Sequence, residues 1–445
     1  MKRGLILLLL FFFCSAQTFG FELVLPSEKK NYVNSDYAFF YGRAKNGESI
    51  SINDEGISTA SNGAFAYTFK LKEGENRIKF KSNYGVQFFK FYKTTPEKQE
   101  LPIENFEPTK AYVNSDNTPL RSTPVDAGMN RIGHLFANTS IIINGSQGSF
   151  YRVFLSKDKE GWIAKDSVTI NKLGFRNSSE FISMDSQRYK NAMVQTISFT
   201  NTLPYTVEDT EKEIIFRVYN PEISDSSVYT LNIPKPEKYT YSVTSECGKY
   251  TFKVKQLPAN ISDITVVVDA GHGGSERGAI GCLKDEEKDI NLAIAAELSK
   301  QLRDKGFNVV MTRECDANLS LNDRVQIAKE NDADIFVSIH LNSIGGNTPM
   351  DIHKTRGTGV YYYNSNSKRL AEIIEKRVSS SAGTRGDGIH EASFAVVRPT
   401  EYVGVLVECA YMTNPLDSVL YRNDNFAKKV AKGITKGLVE FVNEK

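Results

Sequence analysis

The stretch ITVVVDAGHGGS (Ile264–Ser275) decides the fold class of the C-terminal half of this chain. An unbroken β-branched run from Ile264 to Val268, closed by glycines around His272, reads as a strand buried on both faces, the pattern of a parallel sheet. ADIFVSIHLNS (Ala333–Ser343) repeats the pattern and carries His340 at its end, and GVLVEC (Gly404–Cys409) carries Glu408. Helical signals separate these runs. Glu287–Lys305 places Ile290, Ile294, Leu298 and Leu302 at four-residue steps, and Gly306 supplies a stop. Further expected elements are the strand FNVVMT (Phe307–Thr312) and a helix over Ser320–Lys329 with Ser320 and Asp323 as a capping pair. The strand GVYYY (Gly359–Tyr363), a helix near Lys368–Ser380 and a final helix over Asn425–Asn443 follow. Alternation of this kind predicts, from residue 261 to 445, an α/β domain with a mostly parallel sheet covered by helices.

Upstream the texture is different. Residues 21–95 alternate short aromatic and β-branched runs with turn signals, which predicts an antiparallel β-sandwich. Within it, NGAFAYTFKLKEGENRI resembles bacterial immunoglobulin-like modules. Residues 96–110 carry prolines and many charges and read as a linker. In residues 111–170, PLRSTP (Pro119–Pro124), GSFYRVFL and GWIAKDSV (Gly161–Val168) resemble a bacterial SH3-like domain, with Trp162 read as core. Residues 171–260 are again β-rich, and resemble either a wall-targeting sandwich or a plain spacer. The expected architecture is multidomain: N-terminal β-sandwich and SH3-like β modules, then the α/β domain.

Bulk composition narrows the functions. With 55 basic against 53 acidic side chains the net charge is +2, which leaves no electrostatic footprint for nucleic acid. Lys2 and Arg3 precede an apolar run from Gly4 to Cys14 that is too short to span a bilayer. Residues 1–20 are therefore expected to be a signal peptide, with export to the periplasm or the extracellular wall face and no membrane span in the mature chain. Cys247, Cys282, Cys315 and Cys409 form no CxxC pair and are expected to be buried free thiols.

In a parallel sheet, residues after strands one, three and the last converge on the carboxyl rim, so His272, His340 and Glu408 are expected together there. A carboxylate opening the first helix joins them, and the pattern alone leaves Glu286 and Glu287 both open. Two imidazoles and one carboxylate suit zinc and leave a fourth position free, the arrangement of catalytic rather than structural sites. Glu408 is then placed for proton transfer. The glycine-rich loop GHGGSERG is not a dinucleotide fingerprint, because Glu276 stands where the last glycine belongs, and no GxxxxGK[ST] exists.

Taken together, DAGHGG, the EKDINLAIA run from Glu287, TRECDANLSLNDR (Thr312–Arg324), ADIFVSIHLNS and VLVECAYMTN resemble the zinc-dependent N-acetylmuramoyl-L-alanine amidase family. The resemblance implies zinc held by His272, Glu287 and His340, with Glu408 as the catalytic glutamate, and it selects Glu287 over Glu286. It matches Arg398 to a family arginine for substrate positioning. It implies peptidoglycan as substrate, with an activator protein carried as a further partner. Departures are Val403 in place of a proline and Gly386-Asp387-Gly388 in place of Asp-Arg-Gly. Two other readings share these residues: a zinc metallopeptidase cutting within peptides, and a non-catalytic peptidoglycan-binding protein, against which the complete ligand set argues. Cys282 is a minor rival ligand, and His353 and His390 are expected on surface loops.

Overall fold

The computed structural model describes residues 21–444 apart from 46, 96–100, 171–178, 222–226, 346–351 and 353; the expected signal peptide and His353 lie outside the described residues. The α/β domain contains β1 (Thr265–Ala270), α1 (Glu287–Asp304), β2 (Asn308–Met311), α2 (Leu321–Glu330) and β3 (Ile335–Asn342). It continues with β4 (Thr358–Tyr362), α3 (Ser365–Ala382), β5 (Gly386–Glu391), β6 (Val403–Tyr411), α4 (Pro415–Tyr421) and α5 (Phe426–Asn443). The six strands form one sheet in the order β2-β1-β3-β6-β4-β5. All neighbours are parallel except β4, which runs antiparallel to β6.

Period-two alternation sorts each strand between two apolar layers. Val266, Val268, Val337, Ile339, Val405, Val407 and Cys409 face one layer, packed on α1, α3 and α5. Val267, Phe336 and Leu406 face the other, with Ala328 of α2 and with Val397 and Tyr402. This double burial is why the sequence shows near-continuous apolar runs instead of alternation. At the N-terminus of α2, Ser320 and Asp323 form the expected capping box, each side chain accepting from the other's backbone N–H. The unexpected α4 begins at Asn414, whose Oδ1 accepts from the amides of Leu416 and Asp417, with Pro415 in the first turn.

The N-terminal sandwich is built from a three-stranded and a five-stranded sheet enclosing Phe40, Ile52, Phe65, Ile78, Phe80, Phe89 and Phe91. Along Gly74–Ser82, Asn76, Ile78, Phe80 and Ser82 turn inward while the charged residues turn out. Two expectations change in the middle of the chain. Strand Glu104–Val113 occupies half of the stretch read as a linker, because it pairs with Ser140–Gln147 and Val168–Ile170 in a seven-stranded sheet. Residues 111–170 and 171–260 also do not keep separate cores: Ile141, Val153 and Ile163 belong to the same apolar cluster as Phe199, Phe216 and Phe252. Trp162 is buried, as its core reading requires.

Both β parts sit on the α/β domain. Phe39, Tyr41, Ala64 and Ala66 of the sandwich pack with Cys282, Ile344, Ile352 and Tyr411. Farther along, the Tyr241 amide donates to the Thr400 carbonyl, and Lys255 pairs with Asp334 at 2.8 Å.

α3 and α5 pack backbone to backbone: a Cβ on Gly433 would stand 2.6 Å from the Val378 Cα and 2.8 Å from the Arg377 carbonyl oxygen. Backbone cannot give way as a side chain does. Gly433→Val should therefore lower stability by about 1–3 kcal/mol in urea unfolding. An unchanged midpoint would mean that the helices slide apart freely.

Candidate metal centre

His272, Glu287 and His340 are brought together at the carboxyl rim of the sheet, with their candidate ligand atoms within 4.8 Å of one another. His272 follows β1 in the left-handed region, at φ 59°, which a non-glycine residue holds only when its surroundings impose it. Two buried arginines do so. Arg324 donates to the carbonyls of Ala270 at 2.7 Å and His272 at 2.8 Å. Arg313 donates to Ala270 at 2.9 Å, Gly271 at 3.0 Å and Lys288 at 2.8 Å. The charge of Arg324 is answered by Asp269 at 2.6 Å, both groups buried, and Asp269 also accepts from Thr312 and Ser338.

Glu287, the first residue of α1, is 3% exposed. Its Oε1 accepts from the Leu341 amide at 3.1 Å and from Asn291 Nδ2 at 3.2 Å, and lies 2.9 Å from His340 Nδ1. Its Oε2 accepts from the Ala279 amide at 2.8 Å and lies 3.3 Å from His272 Nε2. Burial opposes ionisation, yet the contacts with His272 and His340 outweigh it and hold the carboxyl well below the usual carboxylate range. Neighbouring Glu286 instead turns to Arg277, at 2.8 Å from its Nε, and takes no part in the cluster. Two glycines leave room: a Cβ on Gly271 would collide with the His340 ring, and one on Gly278 with Glu287.

Glu408 stands directly opposite His340 in the β3–β6 register, so both side chains leave the same face. Its Oε2 is buried and has no hydrogen-bond partner. Burial, reinforced by the nearby negative charge of Glu287, raises its pKa well above the ordinary carboxylate value. An orphaned, easily protonated carboxyl next to three convergent donors can accept and return a proton. Gly359, which has no side chain, lies opposite Glu408 on β4.

The remaining candidates lie elsewhere. Arg398 is outside the triad; its Nη1 donates to the Ser393 carbonyl at 2.8 Å. Cys282 packs against the sandwich, and its thiol donates to the Thr413 carbonyl, so it is not a ligand. The thiols are free, but only Cys282 and Cys409 are buried; Cys247 and Cys315 are exposed, contrary to expectation. His390 lies on β5 and not on a loop, its side chain partly exposed, its ring 4.9 Å from that of Tyr361 and its Nε2 3.8 Å from Asp387 Oδ2. Sequence reasoning missed Arg313, Arg324, Asp269 and Asn291. The one signal for them was Asp269 itself, a charge inside an apolar strand.

Among known proteins, residues 266–440 match the family model described as N-acetylmuramoyl-L-alanine amidase. The chain is 36% identical over 193 residues to the uncharacterized protein YqiI of Bacillus subtilis (strain 168), covering 42% of this chain and 90% of that one. It is 35% identical over 192 residues to the N-acetylmuramoyl-L-alanine amidase LytC of the same organism, covering 42% of this chain and 37% of LytC. Among solved structures, the catalytic domain of CwlV, an N-acetylmuramoyl-L-alanine amidase from Bacillus (Paenibacillus) polymyxa var. colistinus, is 36% identical. That match covers 41% of this chain and 99% of the solved catalytic-domain chain, at a TM-score of 0.38. The CwlD amidase from Clostridioides difficile, in complex with the GerS lipoprotein, is 27% identical, covering 41% of this chain and 100% of CwlD, at a TM-score of 0.37.

Removing Arg324 leaves the buried carboxyl of Asp269 without its cation. Arg324→Ala should cost about 3–5 kcal/mol of stability in chemical denaturation. Because the same side chain orients His272, zinc affinity should fall by about 10- to 100-fold in a competition titration. Lost stability with unaltered zinc affinity would restrict Arg324 to the fold.

Proposed function

Since the chain belongs to the N-acetylmuramoyl-L-alanine amidase family, we propose that it hydrolyses the amide between the lactyl group of N-acetylmuramic acid and the L-alanine of the peptidoglycan stem peptide, for wall remodelling or daughter-cell separation. The observation that carries this reading is the juxtaposition of three convergent donors with the unpartnered carboxyl of Glu408. Two imidazoles and one buried carboxylate fit zinc, and His272, Glu287 and His340 are assigned as its ligands. Zinc bound there supplies Lewis acidity toward a carbonyl oxygen and toward water.

The chain's own residues do the rest. Glu287 stays ionised and contributes a full negative charge, while Asn291 and the Leu341 amide fix its orientation. Glu408 takes a proton from the attacking water and returns it to the leaving nitrogen as the C–N bond breaks, general base and then general acid. Its raised pKa eases the second half of that exchange. Arg398 is proposed to position substrate.

We assign the β parts, including an SH3-like reading of residues 111–170, to holding the enzyme on the wall, which raises its effective concentration at substrate. The wall lies outside the cytoplasmic membrane, so the proposal includes export through residues 1–20. An activator protein is carried as a second partner, in view of the complex that CwlD forms with a lipoprotein.

Digestion of purified peptidoglycan should release stem peptides beginning with alanine, read by mass; chelator should stop the release and zinc restore it. Fragments cut within the peptide would replace the amidase by a peptidase. Glu408→Gln should lower the rate by about 10²- to 10⁴-fold. The same variant has a pH signature. A carboxyl with a raised folded pKa favours the fold at low pH, and that advantage is lost as pH rises from its unfolded toward its folded value. At neutral pH, metal-free Glu408→Gln should thus unfold at higher urea than metal-free wild type. Wild-type turnover in this variant would remove Glu408 from the mechanism.

A further inference from the structure

Beyond the metal centre, the seam between the seven-stranded β sheet and the α/β domain gathers positive charge. The short turn Gly128–Asn130 lies against Ser393, so closely that a Cβ on Gly128 would stand 2.8 Å from the Ser393 Cβ. That contact brings Arg131 and His134, on strand Arg131–Leu135, beside Arg398. Arg131 Nη1 is 3.3 Å from His134 Nε2, and the Arg131 Nε is buried without a partner. Arg398 gives one N–H to the Ser393 carbonyl.

Nearby Arg121 is neutralised by Asp126 and further held by the Ala127 carbonyl and Asn130. Arg131 and Arg398 lack such a direct partner: among the described residues neither forms an ion pair with a carboxylate, and Arg131 feels the charge of Asp126 only at longer range. Burial and the charges of Arg131, Arg398 and Arg121 hold His134 neutral down to about 4, so the imidazole adds no cation at neutral pH. Two half-buried guanidinium groups that repel each other are costly to assemble unless an anion answers them.

We propose that Arg131 and Arg398 together bind the terminal carboxylate of the stem peptide, so that the second β part completes the substrate site. This rests on the amidase reading above. Guanidinium groups suit the task, since each offers paired N–H donors to a planar carboxylate. The spacing suits it as well. On β4, Gly359 lies opposite Glu408 and Tyr361 opposite Leu406, and Tyr363 stands beside both arginines. From Gly359 to Tyr363 is about 13 Å at the rise of a strand. An extended peptide of about four residues covers the same span. The path between is aromatic: the Tyr361 ring meets His390 at 4.9 Å and Phe394 edge-on at 5.3 Å, and Phe394 is 41% exposed. A tetrapeptide whose first amide lies at Glu408 therefore reaches the arginine pair with its far end.

The test uses the full chain and two synthetic muramoyl-tetrapeptides that differ only in a terminal carboxylate or carboxamide. Wild type should show a KM about tenfold or more lower for the carboxylate. Arg131→Ala should erase that preference, with the change falling on KM rather than kcat, and Arg131→Lys should recover part of it. Thermal midpoints of both variants separate lost binding from lost folding, and the lysine variant preserves the test if the alanine variant unfolds. Equal KM for the two substrates in wild type, or an undiminished preference in Arg131→Ala, overturns the proposal while leaving the amidase reading intact. Cleavage of neither substrate by wild type overturns both.

Discussion

The whole rim is organised around a single buried charge, the carboxylate of Glu287. Taking a carboxylate out of water costs several kcal/mol unless every lone pair is answered. Here one oxygen meets a backbone amide, the Asn291 amide group and His340, and the other meets a second backbone amide and His272. Each of these contacts demands something of the chain. β3 must end with His340 and Leu341 at a fixed height, α1 must begin at residue 287 and nowhere else, and the loop through Gly278 must pass without a Cβ.

A second buried charge system stands beneath the first. Asp269 and Arg324 are of little use as a source of stability, because a hydrophobic pair of equal volume does as well or better. Their value is directional. Arg324 reaches through the domain from α2 to grip the two carbonyls flanking Gly271, and Arg313 grips the same turn from the other side. His272 can occupy its left-handed conformation because those grips leave no alternative. Glu408 is the exception: its buried Oε2 has no hydrogen-bond partner, which suits the proton-transfer role proposed for it.

Much of the α/β domain was legible because double burial makes strands read as unbroken apolar runs, and because parallel strands put their ends on one rim. Helix ends fell within a few residues of their signals where a glycine stop or a capping pair marked them, as at Gly306 and Ser320. Glu287 and Glu286 could not be separated by pattern, since one residue along a helix turns a side chain by about 100° and the choice depends on where the helix starts. Arg313 and Arg324 look like surface charges in sequence; only the pairing of Arg324 with Asp269, a strand residue far away in the chain, buries it. The proline- and charge-rich segment before residue 111 became a strand because it found partners more than twenty residues downstream. Nothing local marks such pairing, nor the fusion of two β regions into one core.

His272, Glu287 and His340, and not the cysteines, are proposed to hold one zinc ion. X-ray absorption of the zinc-loaded chain addresses it directly, because sulfur and the lighter donors scatter at different distances. Nitrogen and oxygen ligands should appear at about 2.0–2.2 Å with one zinc per chain. A sulfur shell near 2.3 Å, the distance of a zinc–thiolate bond, would contradict it.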